Sequence, residues 1–75
     1  MSNSKKAEKF KDLANIRVRN AIKNLRLIGN LSNTANYEYT PQQTDKILKA
    51  LSAEMKDLKR KFESGGKSNE VLFEL

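Results

Sequence analysis

Apolar residues recur every three or four positions in two separate stretches of this 75-residue chain. Side chains with that spacing lie on one face of an α-helix, so the period indicates amphipathic helices rather than strands. The chain is therefore predicted to be all-α, with two helices. The second stretch gives the clearer stripe, about 100° wide: Ile47, Leu48, Leu51, Met55, Leu58 and Phe62.

Both ends of the second helix carry local signals. Thr40 supplies a capping hydroxyl, Pro41 suits the first helical position, and Gln43 stands three residues after the cap, which is the pattern of a capping box. At the other end, the run Ser64-Gly65-Gly66 provides glycines that tolerate the left-handed conformation of a helix stop. These signals predict a helix over residues 41–64.

The first helix is predicted over residues 4–28, with Gly29 as the terminating residue. Its main apolar face consists of Ala7, Phe10, Ala14, Val18, Ala21, Ile22, Leu25 and Ile28. At about 100° per residue, a second apolar group projects to nearly the opposite side: Leu13, Ile16, Leu27 and, if the helix reaches it, Leu31, with Asn20 among them. This helix therefore has two sides that favour burial.

A hairpin lets the second helix cover only one side of the first. We therefore predict an antiparallel two-helix hairpin over residues 1–64, with a loop over residues 29–39, that pairs into a homodimeric four-helix bundle. Asn20 has two interpretations: a polar residue that fixes the register between paired helices, or a solvated surface asparagine. The predicted dimer interface consists of Leu13, Ile16, Asn20 and Leu27.

The loop and the C-terminal segment leave several interpretations open. Tyr37 and Tyr39 are expected either to cover the open end of the bundle or to take part in binding. Residues 65–75 are predicted to form a flexible tail. The apolar end of that tail, Val71–Leu75, is alternatively a short helix that turns back on the bundle or a docking peptide.

The residue inventory argues against an enzyme. The chain contains no cysteine and no histidine, so it has no disulfide, none of the usual zinc ligand sets and no ordinary nucleophile and base pair. No glycine-rich phosphate loop is present. We therefore expect no catalytic residues, no metal site and no cofactor. We also expect no membrane association and a cytoplasmic location, because the sequence has neither an apolar run of spanning length nor a secretory signal pattern.

The excess positive charge is confined to the first half of the chain. The net charge is +6, and no acidic residue occurs between Asp12 and Glu38. Within that interval Arg19, Lys23 and Arg26 lie within about 60° of one another on the first helix. Asn15 and Asn30 flank them, and Arg17 adds a fourth cation on the other flank.

Cations at one-turn spacing can track the phosphates of a nucleic acid. The sequence therefore favours a small, basic, non-enzymatic protein that binds DNA or RNA in a regulatory or accessory role. The residues predicted to bind are Arg17, Arg19, Lys23 and Arg26. The alternative is a protein–protein interaction module, an adaptor or small inhibitor, that uses the second apolar side of the first helix, the loop or the tail.

Overall fold

The protein is described by a computed structural model that covers the backbone of residues 2–66 and the side chains of residues 5–66. Helix α1 spans Ser2–Asn30 and helix α2 spans Pro41–Glu63, and no strand occurs within this part of the chain. The predicted all-α class is confirmed, and the order helix, loop, helix agrees with the predicted hairpin. The predicted tail end, Val71–Leu75, lies outside the described residues. The chain divides into two compact units, Met1–Glu38 and Tyr39–Leu75, which are described in turn.

The first unit departs from the sequence prediction at the end of α1. The helix continues through Gly29 to Asn30, so the prediction that Gly29 terminates it is wrong. A glycine stops a helix by adopting a positive φ, and Gly29 does not adopt one. Instead, the amides of Leu31 and Ser32 donate to the carbonyls of Ile28 and Gly29, at 3.0 Å in both cases. These bonds join residues three apart, so the helix ends by tightening its last turn.

The connecting loop is consequently shorter than predicted and begins at Leu31. Asn33 organises it, because its side-chain Oδ1 accepts a hydrogen bond from the amide of Ala35 at 2.9 Å. The carbonyl of Asn33 accepts from the amides of Asn36 and Tyr37 at 3.1 and 3.0 Å. Such local bonds from asparagine compete with helix formation, which explains why α1 does not continue through this segment.

In the second unit, the predicted capping box at the start of α2 is confirmed. The amide of Gln43 donates to Thr40 Oγ1 at 3.1 Å, and the amide of Thr40 donates to Gln43 Oε1 at 2.8 Å. Pro41 takes the first turn, where its missing amide hydrogen removes no helical bond. The hydroxyl of Thr44 adds a bond to the carbonyl of Pro41 at 3.0 Å. Side chains therefore satisfy amides that the helix itself leaves unpaired.

The capping box gives a direct stability prediction. We expect Thr40→Ala to lower the free energy of unfolding by about 1 kcal/mol, because it removes the acceptor for the Gln43 amide. Circular dichroism during thermal unfolding measures this change. The matched control is Thr34→Ala, since the Thr34 hydroxyl makes no hydrogen bond to any described residue. Equal free energies of unfolding for the two variants would show that the cap does not contribute to stability.

The predicted stop of α2 is confirmed, with Glu63 as the last helical residue. Gly65 and Gly66 have φ values of 71° and 87°, in the left-handed region. The amide of Gly66 donates to the carbonyl of Lys61 at 2.8 Å, and that of Gly65 donates to Phe62 at 3.3 Å. This pair of bonds is a Schellman motif, which satisfies carbonyls at the helix end.

The apolar faces of the helices remain accessible. No side chain within residues 5–66 is buried, and Leu13, Ala14 and Leu51 are the apolar residues of intermediate exposure. Large apolar side chains are exposed on both predicted sides of α1, as Val18 and Ile16 show. Exposed large apolar side chains that share one helix face are typical of an interaction surface.

Candidate nucleic-acid interface

Three of the four predicted nucleic-acid-binding residues lie together on α1. Arg19, Lys23 and Arg26 are exposed, and all three line one shallow hollow on the surface of the helix. Their spacing of four and three residues places them within two turns, over about 10 Å of helix length. We call these three residues the cationic stripe.

Two apolar side chains complete the hollow. Ile22 lies along one edge of the cationic stripe and Leu27 along the other. The helical period predicted Ile22 on the main apolar face and Leu27 in the dimer interface, and neither residue was predicted to lie with the cations. The sequence did contain a signal for this association. Ile22 and Leu27 follow Arg19 by three and eight residues, which places both beside the stripe on a helix. The hollow can therefore contact an anion and an apolar group together.

Arg17 does not join this group. It is exposed on α1 but projects about 150° away from the cationic stripe, on nearly the opposite side of the helix. Asn15 and Asn30 are also exposed on α1, at the two ends of the stripe, and neither lines the hollow. The structure thus brings together Arg19, Lys23 and Arg26, without the fourth predicted residue.

The charges of the cationic stripe are not neutralised within the described residues. None of its three side chains forms an ion pair or a side-chain hydrogen bond there, and the same holds for Arg17. The nearest acidic residue before the stripe on α1 is Asp12, seven residues before Arg19, at a distance of about 10 Å along the helix. The stripe therefore presents three uncompensated positive charges to solvent.

Helix α2 is also rich in lysine, but carboxylates compensate part of its charge. Lys61 Nζ lies 3.3 Å and Arg60 Nη2 lies 3.4 Å from the carboxylate oxygens of Asp57, and Lys49 pairs with Asp45 at 3.0 Å. The hydrogen bond from Lys61, supported by the charges of Lys61 and Arg60, holds the pKa of Asp57 below its ordinary value against the opposing effect of desolvation. The two helices thus differ in how their cations are balanced.

The predicted dimer interface is an accessible face of α1. Ile16 and Leu27 are 55% and 54% exposed, Asn20 is exposed, and Leu13 has intermediate exposure. The side chain of Asn20 makes no hydrogen bond to any residue that the structure describes. This face is therefore available to a second molecule, and its role as a dimer interface stays a prediction.

The two loop tyrosines belong to different units of the chain. Tyr37 lies in the first unit and Tyr39 in the second, and both side chains are exposed. Neither tyrosine lines the hollow with the cationic stripe. Both predicted interpretations of the tyrosines, covering a bundle end and binding, stay open.

Comparisons with protein-family models, with characterised proteins and with solved structures gave no match to this chain. Within the described residues, no helix is long and apolar enough to cross a membrane. The same part of the chain holds no cluster of three or more acidic residues suited to a metal ion. The geometry of α1 is therefore the evidence for a function of this chain.

Proposed function

We propose that the chain binds nucleic acid through the cationic stripe of α1. The observation that carries this proposal is the set of three exposed, unpaired cations along one helix face. Phosphates attract such cations and release their own counterions on binding, which supplies most of the affinity of sequence-independent complexes. A regulatory or accessory role in the cytoplasm, where nucleic acid is accessible, is part of the proposal.

The composition of the hollow indicates which part of a nucleic acid it contacts. No aromatic residue occurs between Phe10 and Tyr37, so α1 offers no ring beside the cationic stripe on which a base could stack. Arg19 and Arg26 instead carry planar guanidinium groups that form paired hydrogen bonds to phosphate oxygens. Ile22 supplies apolar contact to the sugar edges next to those phosphates. Contacts of this type position a protein on the backbone.

The test removes the cationic stripe and leaves the rest of the chain. We expect the triple variant Arg19→Ala, Lys23→Ala, Arg26→Ala to bind a fluorescent DNA duplex and an RNA stem at least about tenfold more weakly than the wild-type chain. The slope of log affinity against log salt should fall by about 0.9 for each phosphate of duplex DNA that the variant no longer neutralises. Fluorescence anisotropy at two salt concentrations measures both quantities.

A matched control distinguishes the effect of the cationic stripe on binding from the effect of the net charge. The variant Lys46→Ala, Lys56→Ala, Lys59→Ala also removes three positive charges, from positions on α2 that form no ion pair with a described residue. We expect it to retain most of the wild-type affinity. If the two triple variants bind equally weakly, total charge determines binding and the stripe is not a site. If wild-type protein binds neither probe, the proposed function is wrong.

A protein–protein interaction module is the second candidate function. It is favoured by the exposure of Ile16 and Leu27, which form part of an apolar face outside the main face of α1. A second copy of the chain covers this face in the predicted homodimer, which is also part of our proposal. Sedimentation at micromolar concentration distinguishes the two: a monomer leaves the face open for a different protein, whereas a dimer occupies it.

A further inference from the structure

The accessible face of α1 has an internal symmetry centred on Asn20. Leu13 lies seven residues before Asn20 and Leu27 lies seven residues after it. Seven residues are close to two full helical turns, so the three side chains fall within about 40° of the circumference. Ile16 lies about 20° outside this 40° arc, next to Leu27. Reversing the direction of the helix about Asn20 therefore exchanges one leucine position with the other.

We propose that a second copy of the chain covers this face with its own α1, antiparallel, with the two-fold axis at Asn20. This arrangement places Leu13 against Leu27 of the second copy, and the reverse contact follows by symmetry. Asn20 then faces Asn20 of the second copy. An asparagine amide both donates and accepts hydrogen bonds, so two of them can pair across the axis and fix the register. Asn20 has no partner within the described residues, as this pairing requires.

The lysines near the start of α1 favour the antiparallel direction. Lys5, Lys6, Lys9 and Lys11 all precede Asp12, near the start of the helix. A parallel, in-register pair would place both sets of lysines side by side, together with the two positive helix N-termini. The antiparallel pair about Asn20 overlaps residues 10–30 of the two helices and separates their lysine-rich ends by about 40 Å. That distance exceeds the screening length at physiological salt.

The same arrangement changes the proposed binding site, and this step rests on the proposed function. The cationic stripe lies about 90° around α1 from the face of Asn20. A two-fold axis perpendicular to antiparallel helices keeps both stripes on one side of the pair, whereas parallel pairing puts them on opposite sides. The six cations then form two rows, over about 18 Å of length and about 8–10 Å apart. One chain supplies only half of this surface.

Distances between spin labels test the direction of pairing. The chain has no cysteine, so Lys5→Cys and Asn30→Cys each introduce one unique labelling site. For label pairs in the antiparallel dimer we expect separations of about 45 Å at position 5 and about 30 Å at position 30. Parallel pairing would bring both label pairs within roughly 20 Å, because interaxial distances are only 8–10 Å. Pulsed electron paramagnetic resonance measures these distances and distinguishes the two directions of pairing.

Sedimentation of the unlabelled wild-type chain provides a second, independent measurement. Six cations on one side of the dimer repel one another, and salt screens that repulsion, so raising the salt concentration tenfold should tighten the dimer about threefold or more. A monomer at micromolar concentration, short distances at both labelled positions, or a dimer that weakens with salt would overturn the proposal. If the antiparallel dimer forms but binds no nucleic acid, the proposed function fails and the pairing stands. If a monomer binds nucleic acid, the pairing fails and the function stands.

Discussion

Raising the salt concentration from 50 to 200 mM is expected to weaken the binding of the wild-type chain to a DNA duplex about a thousandfold. This value follows from the proposed dimer, in which the cationic stripe of each copy contacts three phosphates, at about 0.9 unit of log–log slope per contact. The proposed contacts are charge-dominated, since α1 brings exposed Arg19, Lys23 and Arg26 together without an acidic neighbour. Anisotropy titrations across this salt range give the slope directly.

The size of the slope also indicates how many copies of the chain contact the DNA. If a single cationic stripe binds, three phosphates predict a weakening of only about 40-fold over the same salt range. The variant Lys46→Ala, Lys56→Ala, Lys59→Ala should keep the wild-type slope, because its changes lie on α2. Binding that did not depend on salt would exclude phosphate contacts altogether, and with them the cationic stripe as a binding site.

The limits of α2 were predictable because they depend on local chemistry. Thr40, Pro41 and Gln43 are neighbours in sequence, and their capping bonds involve only one another. Gly65 and Gly66 adopt the positive φ values that their lack of a side chain allows. A signal confined to four or five adjacent residues can be interpreted before any tertiary structure is known.

The end of α1 was not predictable in the same way. Gly29 is a common type of helix stop, but glycine tolerates helical and left-handed conformations alike. The outcome was decided by the hydrogen bonds of the residues that follow, in which Leu31 and Ser32 close a tighter turn and Asn33 begins a new one. A glycine therefore indicates where a helix can stop, and its neighbours determine whether it does.

The cationic stripe shows which part of a site helical spacing can predict. The azimuths of Arg19, Lys23 and Arg26 follow from 3.6 residues per turn, and the structure brings these residues together as expected. The association of the stripe with Ile22 and Leu27 depends on the directions that the long side chains take over the helix surface. The angular positions of the residues around the helix do not give these directions. The proposed dimer involves a second molecule, so no contact within one chain specifies it.

Ala21→Pro is expected to abolish the alignment of the cationic stripe while keeping every positive charge. Proline at position 21 removes the amide hydrogen bond to the carbonyl of Arg17 and clashes with that carbonyl, at a cost of about 3 kcal/mol or more. The break falls between Arg19 on one side and Lys23 and Arg26 on the other. We expect lower helicity by circular dichroism and nucleic-acid affinity as weak as that of the triple stripe variant.

Ala21→Gly is the matched control, since it costs the helix only about 1 kcal/mol and retains the amide hydrogen bond. Its affinity should stay close to that of the wild-type chain. Because the proline variant has an unchanged net charge, a loss of binding that is specific to it shows that the cations act as an aligned set. Wild-type affinity in a proline variant with broken α1 would instead mean that Arg19, Lys23 and Arg26 act as separate charges, and that the helical spacing of the stripe has no part in binding.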